Sequence, residues 1–163
     1  MEVDFTRVVA ENQSLVFSLA LRFLRDRSAA EELAQDVFLQ LYSQIRHIET
    51  PAHATWWLRR AICHRCIDEA RKRKLRPRIG LEEVPEPSIE SRQSDPFLYE
   101  RVRCLVAKLA PNARMVVLLR YQEDLDPTEI AETLNMPVST VKSHLHRSLA
   151  LLRGKLEKQE VCG

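Results

Sequence analysis

Apolar residues recur at helical spacing almost from the start of the chain. Phe5, Val8, Val9, Leu15, Val16, Leu19 and Phe23 predict a helix from about Asp4 to Arg25. Leu33, Val37, Phe38, Leu41 and Ile45 predict a second. It starts at Ser28, with Glu31 three residues on as a capping box: the hydroxyl and the carboxylate satisfy free backbone N–H groups. A third helix opens at Thr50-Pro51, a cap followed by proline in the first turn, and runs through Trp56 and Trp57 to about Lys74. Its inward stripe is Leu58, Ile62, Cys66 and Ala70, each four residues from the last, and one of the two tryptophans is expected in the core.

The helical period then stops. From Arg76 to Pro96 the chain reads RPRIGLEEVPEPSIESRQSDP, with four prolines and little period, which predicts a flexible linker. Four further helices follow. Asp95-Pro96 opens the first, with Leu98, Val102, Leu105, Val106 and Leu109 inward, and Pro111 opens the second, which ends near Gln122. Asp126-Pro127-Thr128-Glu129 is another capping box and opens the third; Ser139 is the expected cap of the last, after the turn Asn135 to Val138. Val141, Leu145, Leu149, Leu152 and Leu156 share one face of that last helix. The fold class is therefore all-α: two small helical domains, residues 1–75 and 97–163, joined by a flexible linker over 76–96.

Composition removes several classes of function. The three glycines, Gly80, Gly154 and Gly163, build no phosphate-cradling loop, so nucleotide-binding α/β folds are excluded. The longest strongly apolar run, Met115 to Leu119, is far short of the ~20 residues of a membrane span, so no membrane insertion is expected. The acidic start, Met1 to Asp4, does not read as a cleavable leader, and a cytoplasmic location follows as the expectation. The five histidines (His47, His53, His64, His144 and His146) show no nucleophile–base or metal spacing. No enzyme, no cofactor and no metal site is expected.

Charge is informative through its layout. The net charge is only +2, yet residues 59–78 hold nine basic residues against two acidic, and residues 138–156 hold four basic and none acidic. Two basic patches in a weakly charged chain point to a polyanion. A solvated helix face is the plainer explanation of either one.

The second patch coincides with a helix-turn-helix. Ala131, Asn135 and Val141 give a small residue where two helices cross, a residue tolerant of left-handed backbone at the turn, and an apolar lock on the second helix. At 100° per residue, Thr140, Ser143 and Arg147 lie opposite the apolar face, flanked by Ser139, His144 and His146. Lys142 lies nearer the core edge, which suits a phosphate contact. Arg147 can donate two hydrogen bonds to guanine in a major groove. The first patch has a different character. Trp56, Trp57, Arg59 and Arg60 lead into Arg65 and the run Arg71, Lys72, Arg73, Lys74. Rings beside cations suit unstacked single-stranded bases and their backbone.

These residues resemble a known family, the bacterial sigma factors of the extracytoplasmic-function class, over nearly the whole chain. The segment Glu31 to Leu39 resembles the family's core-polymerase-binding helix in domain two. Trp57 to Ile62, with Asp68 and the Arg71–Lys74 run, resembles its promoter-melting helix; Val138 to Arg147 resembles the recognition helix of domain four. The resemblance implies a transcription initiation factor that binds RNA polymerase core, at the β′ clamp and the β flap, and directs it to promoter DNA. It implies an anti-sigma factor as a further partner. Core contacts would fall on Leu33, Gln35, Asp36, Phe38 and Leu39, with Gln35 and Asp36 exposed. Duplex at the minus-thirty-five element would meet Ser139, Thr140, Lys142, Ser143, His144, His146 and Arg147. Melted minus-ten DNA would meet His53, Trp56, Trp57, Arg59, Arg60, His64, Arg65, Arg71, Lys72, Arg73 and Lys74. The loop from Ile48 to Ala54 matches the segment that shapes the family's base pocket. This chain differs from the family's pattern at His64 and His144, where asparagine and arginine are usual, and at Pro51 and His53 in the base-pocket loop.

A second function stands beside this one: an autonomous helix-turn-helix regulator whose first domain senses a metal or a thiol reagent through Cys63 and Cys66. Against it, Cys66 lies on the apolar stripe and His64 points about 100° away from Cys63, which favours core thiols. Cys104 is expected beside a core and Cys162 in the tail. Without a leader, all four are expected reduced.

Overall fold

A computed structural model describes residues 2–75 and 96–158. The described residues form seven α-helices and one short 3₁₀ turn, with no strand among them. The chain divides into two compact units, and the expected linker lies outside the described residues apart from Pro96, which opens a helix.

The first unit is α1 (Phe5–Leu24), α2 (Arg27–Gln44), a 3₁₀ turn over Ile45–His47, and α3 (Pro51–Leu75). Each helix packs on the other two. Val16, Leu19, Phe23, Val37, Leu41, Leu58 and Ile62 are fully buried between them. Each such side chain contributes about 1.5–3 kcal/mol through removal from water. The predicted α3 stripe of Leu58, Ile62, Cys66 and Ala70 is buried along its length.

The junction of α1 and α2 corrects one expectation. Asp4 caps α1, accepting from Thr6 N–H, and Arg25 closes the helix in the left-handed region at φ 53°. That reversal presents Asp26, not Ser28, to the free N–H groups of α2. Asp26 Oδ1 accepts from Ala29 N–H at 3.1 Å. Glu31 pairs instead with Arg27 at 3.3 Å. Aspartate and serine cap about equally well, so the backbone turn decides between them.

The second unit is α4 (Pro96–Ala107), α5 (Pro111–Tyr121), α6 (Pro127–Leu134) and α7 (Val138–Glu157). The apolar run Met115 to Leu119 makes α5 the buried helix, with α4, α6 and α7 packed on it. The predicted capping box is present: Asp126 Oδ1 accepts from Glu129 N–H, and Glu129 Oε1 accepts from Asp126 N–H. Leu98 was expected inward but is 47% exposed. Burial grows along α4, from exposed residues at 96–100 to Leu105 within it and Leu109 just beyond, because only the later turns meet the rest of the unit.

The turn between α6 and α7 has the expected left-handed residue, Asn135 at φ 54° and ψ 53°, and the Asn135 and Met136 N–H groups donate to the Ala131 carbonyl. Ser139, however, is not the cap of α7. Pro137, extended at ψ 146°, holds that place, and its carbonyl accepts from the N–H groups of Thr140 and Val141. Ser139 falls inside the first turn and is exposed.

Candidate nucleic-acid interface

The start of α3 gathers a short strip of rings and cations. Thr50 Oγ1 accepts from His53 N–H at 3.0 Å and caps the helix. His53 Nδ1 accepts from Glu49 N–H at 3.3 Å. Accepting at Nδ1 leaves Nε2 as the ring nitrogen that can donate. The Trp56 ring lies 6.2 Å from that imidazole between centroids, and the Arg60 guanidinium sits 5.4 Å from the Trp56 centroid on its other side along the helix. His53, Trp56 and Arg60 thus succeed one another on one face at spacings of three and four. Trp56 is 38% exposed and Trp57 is partly buried. Neither tryptophan is the core residue that one of them was expected to be. The buried positions of those turns are Ala54 and Leu58, and Trp56 lies nearly opposite them around the helix.

The rest of α3 divides its cations. Arg59 is partly buried, with Nε enclosed and without a hydrogen-bond partner. His64 is partly buried; burial and the nearby Arg60 charge push its pKa below the ordinary 6.5, against the opposing pull of Asp68. Arg65 donates to Asp36 Oδ2 on α2 at 2.7 Å. Arg73 donates to Asp26 at 2.7 Å and to Glu69 at 3.4 Å. It ties the end of α3 to the cap of α2 and is not a loose cation of the run. Arg71, Lys72 and Lys74 are exposed.

On α2, Gln35 is exposed and Asp36 partly so, as expected. Leu39 is 68% exposed. Leu33, expected both in the buried stripe and among the core contacts, is buried in the first unit, as the stripe predicts. Phe38 is mostly covered as well. Tyr42, 62% exposed three residues beyond Leu39, was not among the expected contacts; it meets the Phe5 ring in a T-shaped pair at 5.0 Å between centroids. The signal was present in the sequence, since Leu39 and Tyr42 both fall off the Val37–Leu41 stripe.

On α7, Ser139, Lys142, Ser143, His146 and Arg147 are exposed, and Thr140 and His144 are partly buried. Arg147 Nε donates to the Ser143 carbonyl at 3.4 Å, which steadies the guanidinium along the helix. Burial and the Arg147 charge lower the pKa of His144 below 6.5. Val141 and Leu152 are buried as predicted, and Ser148, between them on the same face, is buried too. A polar residue at a core position escapes a reading based on hydropathy.

Cys63 and Cys66 are both fully buried, and burial pushes the Cys66 thiol up to about 12. A thiol so held is neither nucleophile nor ready ligand at neutral pH, which disfavours the sensing regulator. Cys104 is partly buried and Cys162 lies outside the described residues. No helix among the described residues is long and apolar enough to cross a membrane.

Comparison with known proteins agrees with this layout. Sigma-70 region 2 matches residues 8–76, and sigma-70 region 4 matches residues 99–152. The chain is 30% identical to the RNA polymerase sigma-E factor of Streptomyces avermitilis over 98% of this chain and 88% of that one. It is 28% identical to the extracytoplasmic-function sigma factor SigW of Bacillus subtilis, over 93% of this chain and 88% of that one. Its fold matches the sigma factor RpoE of Bartonella quintana, solved in complex with the anti-sigma factor NepR, at a TM-score of 0.76 and 17% identity, covering 94% and 97% of the two chains. The chain belongs to the sigma-70 family and is an RNA polymerase sigma factor of the extracytoplasmic-function class, which directs polymerase to promoters.

Proposed function

We propose that this sigma factor divides its work among three helix faces. The outer face of α2, with Gln35, Asp36, Leu39 and Tyr42, docks on the β′ clamp of core polymerase. The start of α3 receives an unstacked base of the minus-ten strand. The outer face of α7 reads minus-thirty-five duplex. Residues 1–75 then act as sigma domain two and residues 97–163 as sigma domain four, which also meets the β flap, with residues 76–96 as the linker between them.

The observation that carries the melting role is the strip His53, Trp56, Arg60. An exposed indole with a cation on one side offers stacking worth about 1–3 kcal/mol per base without regard to sequence. His53 Nε2–H adds a donor for a base acceptor. On α7, Arg147 and Ser143 supply base-edge contacts, and Lys142 holds a phosphate. An anti-sigma factor would bind and withhold this chain from polymerase, in the cytoplasm; the likeness to a chain solved with NepR supports that reading.

The test is holoenzyme on a promoter duplex. Trp56→Ala should slow melting, read by permanganate reactivity of thymines, with duplex recognition intact. Arg147→Ala should weaken duplex recognition first. If both variants lost the same step equally, the division would be wrong.

A further inference from the structure

Asn12 occupies a core position. It lies on α1 between Val8 and Val16, four residues from each, on the stripe that continues through Leu19 and Phe23, and it is 5% exposed. An apolar side chain would complete that stripe, and a buried amide is costly unless both of its ends are satisfied. Both are: Asn12 Nδ2 donates to the Val8 carbonyl at 2.8 Å, and Asn12 Oδ1 accepts from the Thr55 hydroxyl on α3 at 2.9 Å. The same hydroxyl lies 3.2 Å from the Pro51 carbonyl, within α3 itself. Thr55 stands directly before Trp56 and two residues after His53.

We propose that Asn12 and Thr55 are positioning residues for promoter melting. Their hydrogen bond fixes the rotation of the first turns of α3 on α1 and so aims the His53–Trp56–Arg60 strip at the melted strand. The inference rests on the reading of that strip as the face for an unstacked base. Of the buried residues in those turns, Leu58 anchors the helix, but Ala54, next to Thr55, is small and nearly round and resists rotation weakly. A directed bond one residue from Trp56 supplies what packing there lacks. Side chains reach about 5–6 Å from a helix axis, so a rotation of 10–20° would carry the indole roughly 1–2 Å. A binding constellation tolerates about 0.5 Å.

The experiment uses holoenzymes carrying the parent chain, Thr55→Val, Thr55→Ser, Asn12→Leu or Trp56→Ala. The probe is a promoter duplex selected from genomic DNA by the parent holoenzyme. Core affinity and the rate of thymine exposure to permanganate are measured for each. Thr55→Val keeps shape and loses the donor, leaving Asn12 Oδ1 buried without its partner; melting should slow about tenfold at parental core affinity. Asn12→Leu should behave alike, and Thr55→Ser, which keeps the hydroxyl, should melt as the parent does. Loss of core affinity in step with melting in Thr55→Val would mark a bond that serves stability alone and would overturn the positioning role. So would parental melting by Thr55→Val while Trp56→Ala is slow. Parental melting by Trp56→Ala would overturn the reading of the strip, and this inference with it.

Discussion

Asp36 on α2 and Arg65 on α3 form an ion pair at 2.7 Å, with the two side chains 44% and 42% exposed. It joins a residue proposed to meet polymerase to one the sequence places among the DNA contacts. An ion pair so open to solvent contributes about 0–1 kcal/mol to stability. Its carboxylate can therefore exchange Arg65 for a partner's donor at little cost.

Asp36→Lys should weaken core binding at least about tenfold, through lost and reversed charge at a docking face. The fold should survive, since only an exposed pair is broken. Titration of labelled chain with core polymerase, beside a thermal melt, checks both halves. Unchanged core affinity would remove α2 from the docking surface.

Neutralising Lys72 and Lys74 should weaken promoter binding with little change in sequence preference. Each phosphate contact contributes about 0.7–0.9 to the logarithmic salt slope, so the slope should flatten by up to about 1.8. Arg73 is omitted because Asp26 and Glu69 hold it. Affinities over a salt series decide; a shift of base preference at unchanged slope would speak against phosphate contact.

Asp26→Ala should destabilise the chain by about 1 kcal/mol at neutral pH through loss of the α2 cap. Burial acts to raise the Asp26 pKa, but the Ala29 N–H and the Arg73 guanidinium outweigh it and hold it below the ordinary 3.8. A carboxyl with a lowered folded pKa gives its full stabilisation above the unfolded value. That contribution is lost as pH falls through the folded one. Denaturant melts of parent and variant should therefore converge below pH 3.8. A stability gap independent of pH would show that the charge plays no part.

Cys63 and Cys66 should resist alkylation in the native chain at mildly alkaline pH and react on unfolding, because both are buried and the Cys66 thiol is pushed up to about 12. Mass spectrometry after timed iodoacetamide exposure reads this directly. Rapid native labelling, or stoichiometric zinc lost in a Cys63→Ser, Cys66→Ser variant, would restore the sensor reading.

Asn135→Ala should destabilise the second unit by about 1 kcal/mol, since φ is 54° there, while Asn135→Gly should be tolerated. Thermal melts of the two variants compare directly; equal melts would mean that the turn backbone relaxes.

What could be read from the sequence was local. The α3 stripe, the Asp126–Glu129 capping box and the left-handed Asn135 each depend on residues within a turn or two, and each stands as expected. Contacts across the chain were not legible. Asp26 meets Arg73 from 47 residues away and Asn12 meets Thr55 from 43, and both depend on how helices cross. The same holds for the α2 start, where the reversal at Arg25 favours Asp26 over Ser28. It holds for Leu98 too, whose turn of α4 finds nothing to cover it within the described unit. The candidate site was legible as residue types. Its geometry, with Arg60 on Trp56 and Arg65 turned to Asp36, was not.

Transcription from genomic DNA by core polymerase, with and without this chain, tests the central claim most directly. With the chain, transcripts should begin at discrete sites that share paired minus-ten and minus-thirty-five elements, and core alone should give none of them. Unchanged start sites, together with binding of the chain alone to two-fold symmetric DNA, would contradict promoter direction and show an autonomous regulator instead.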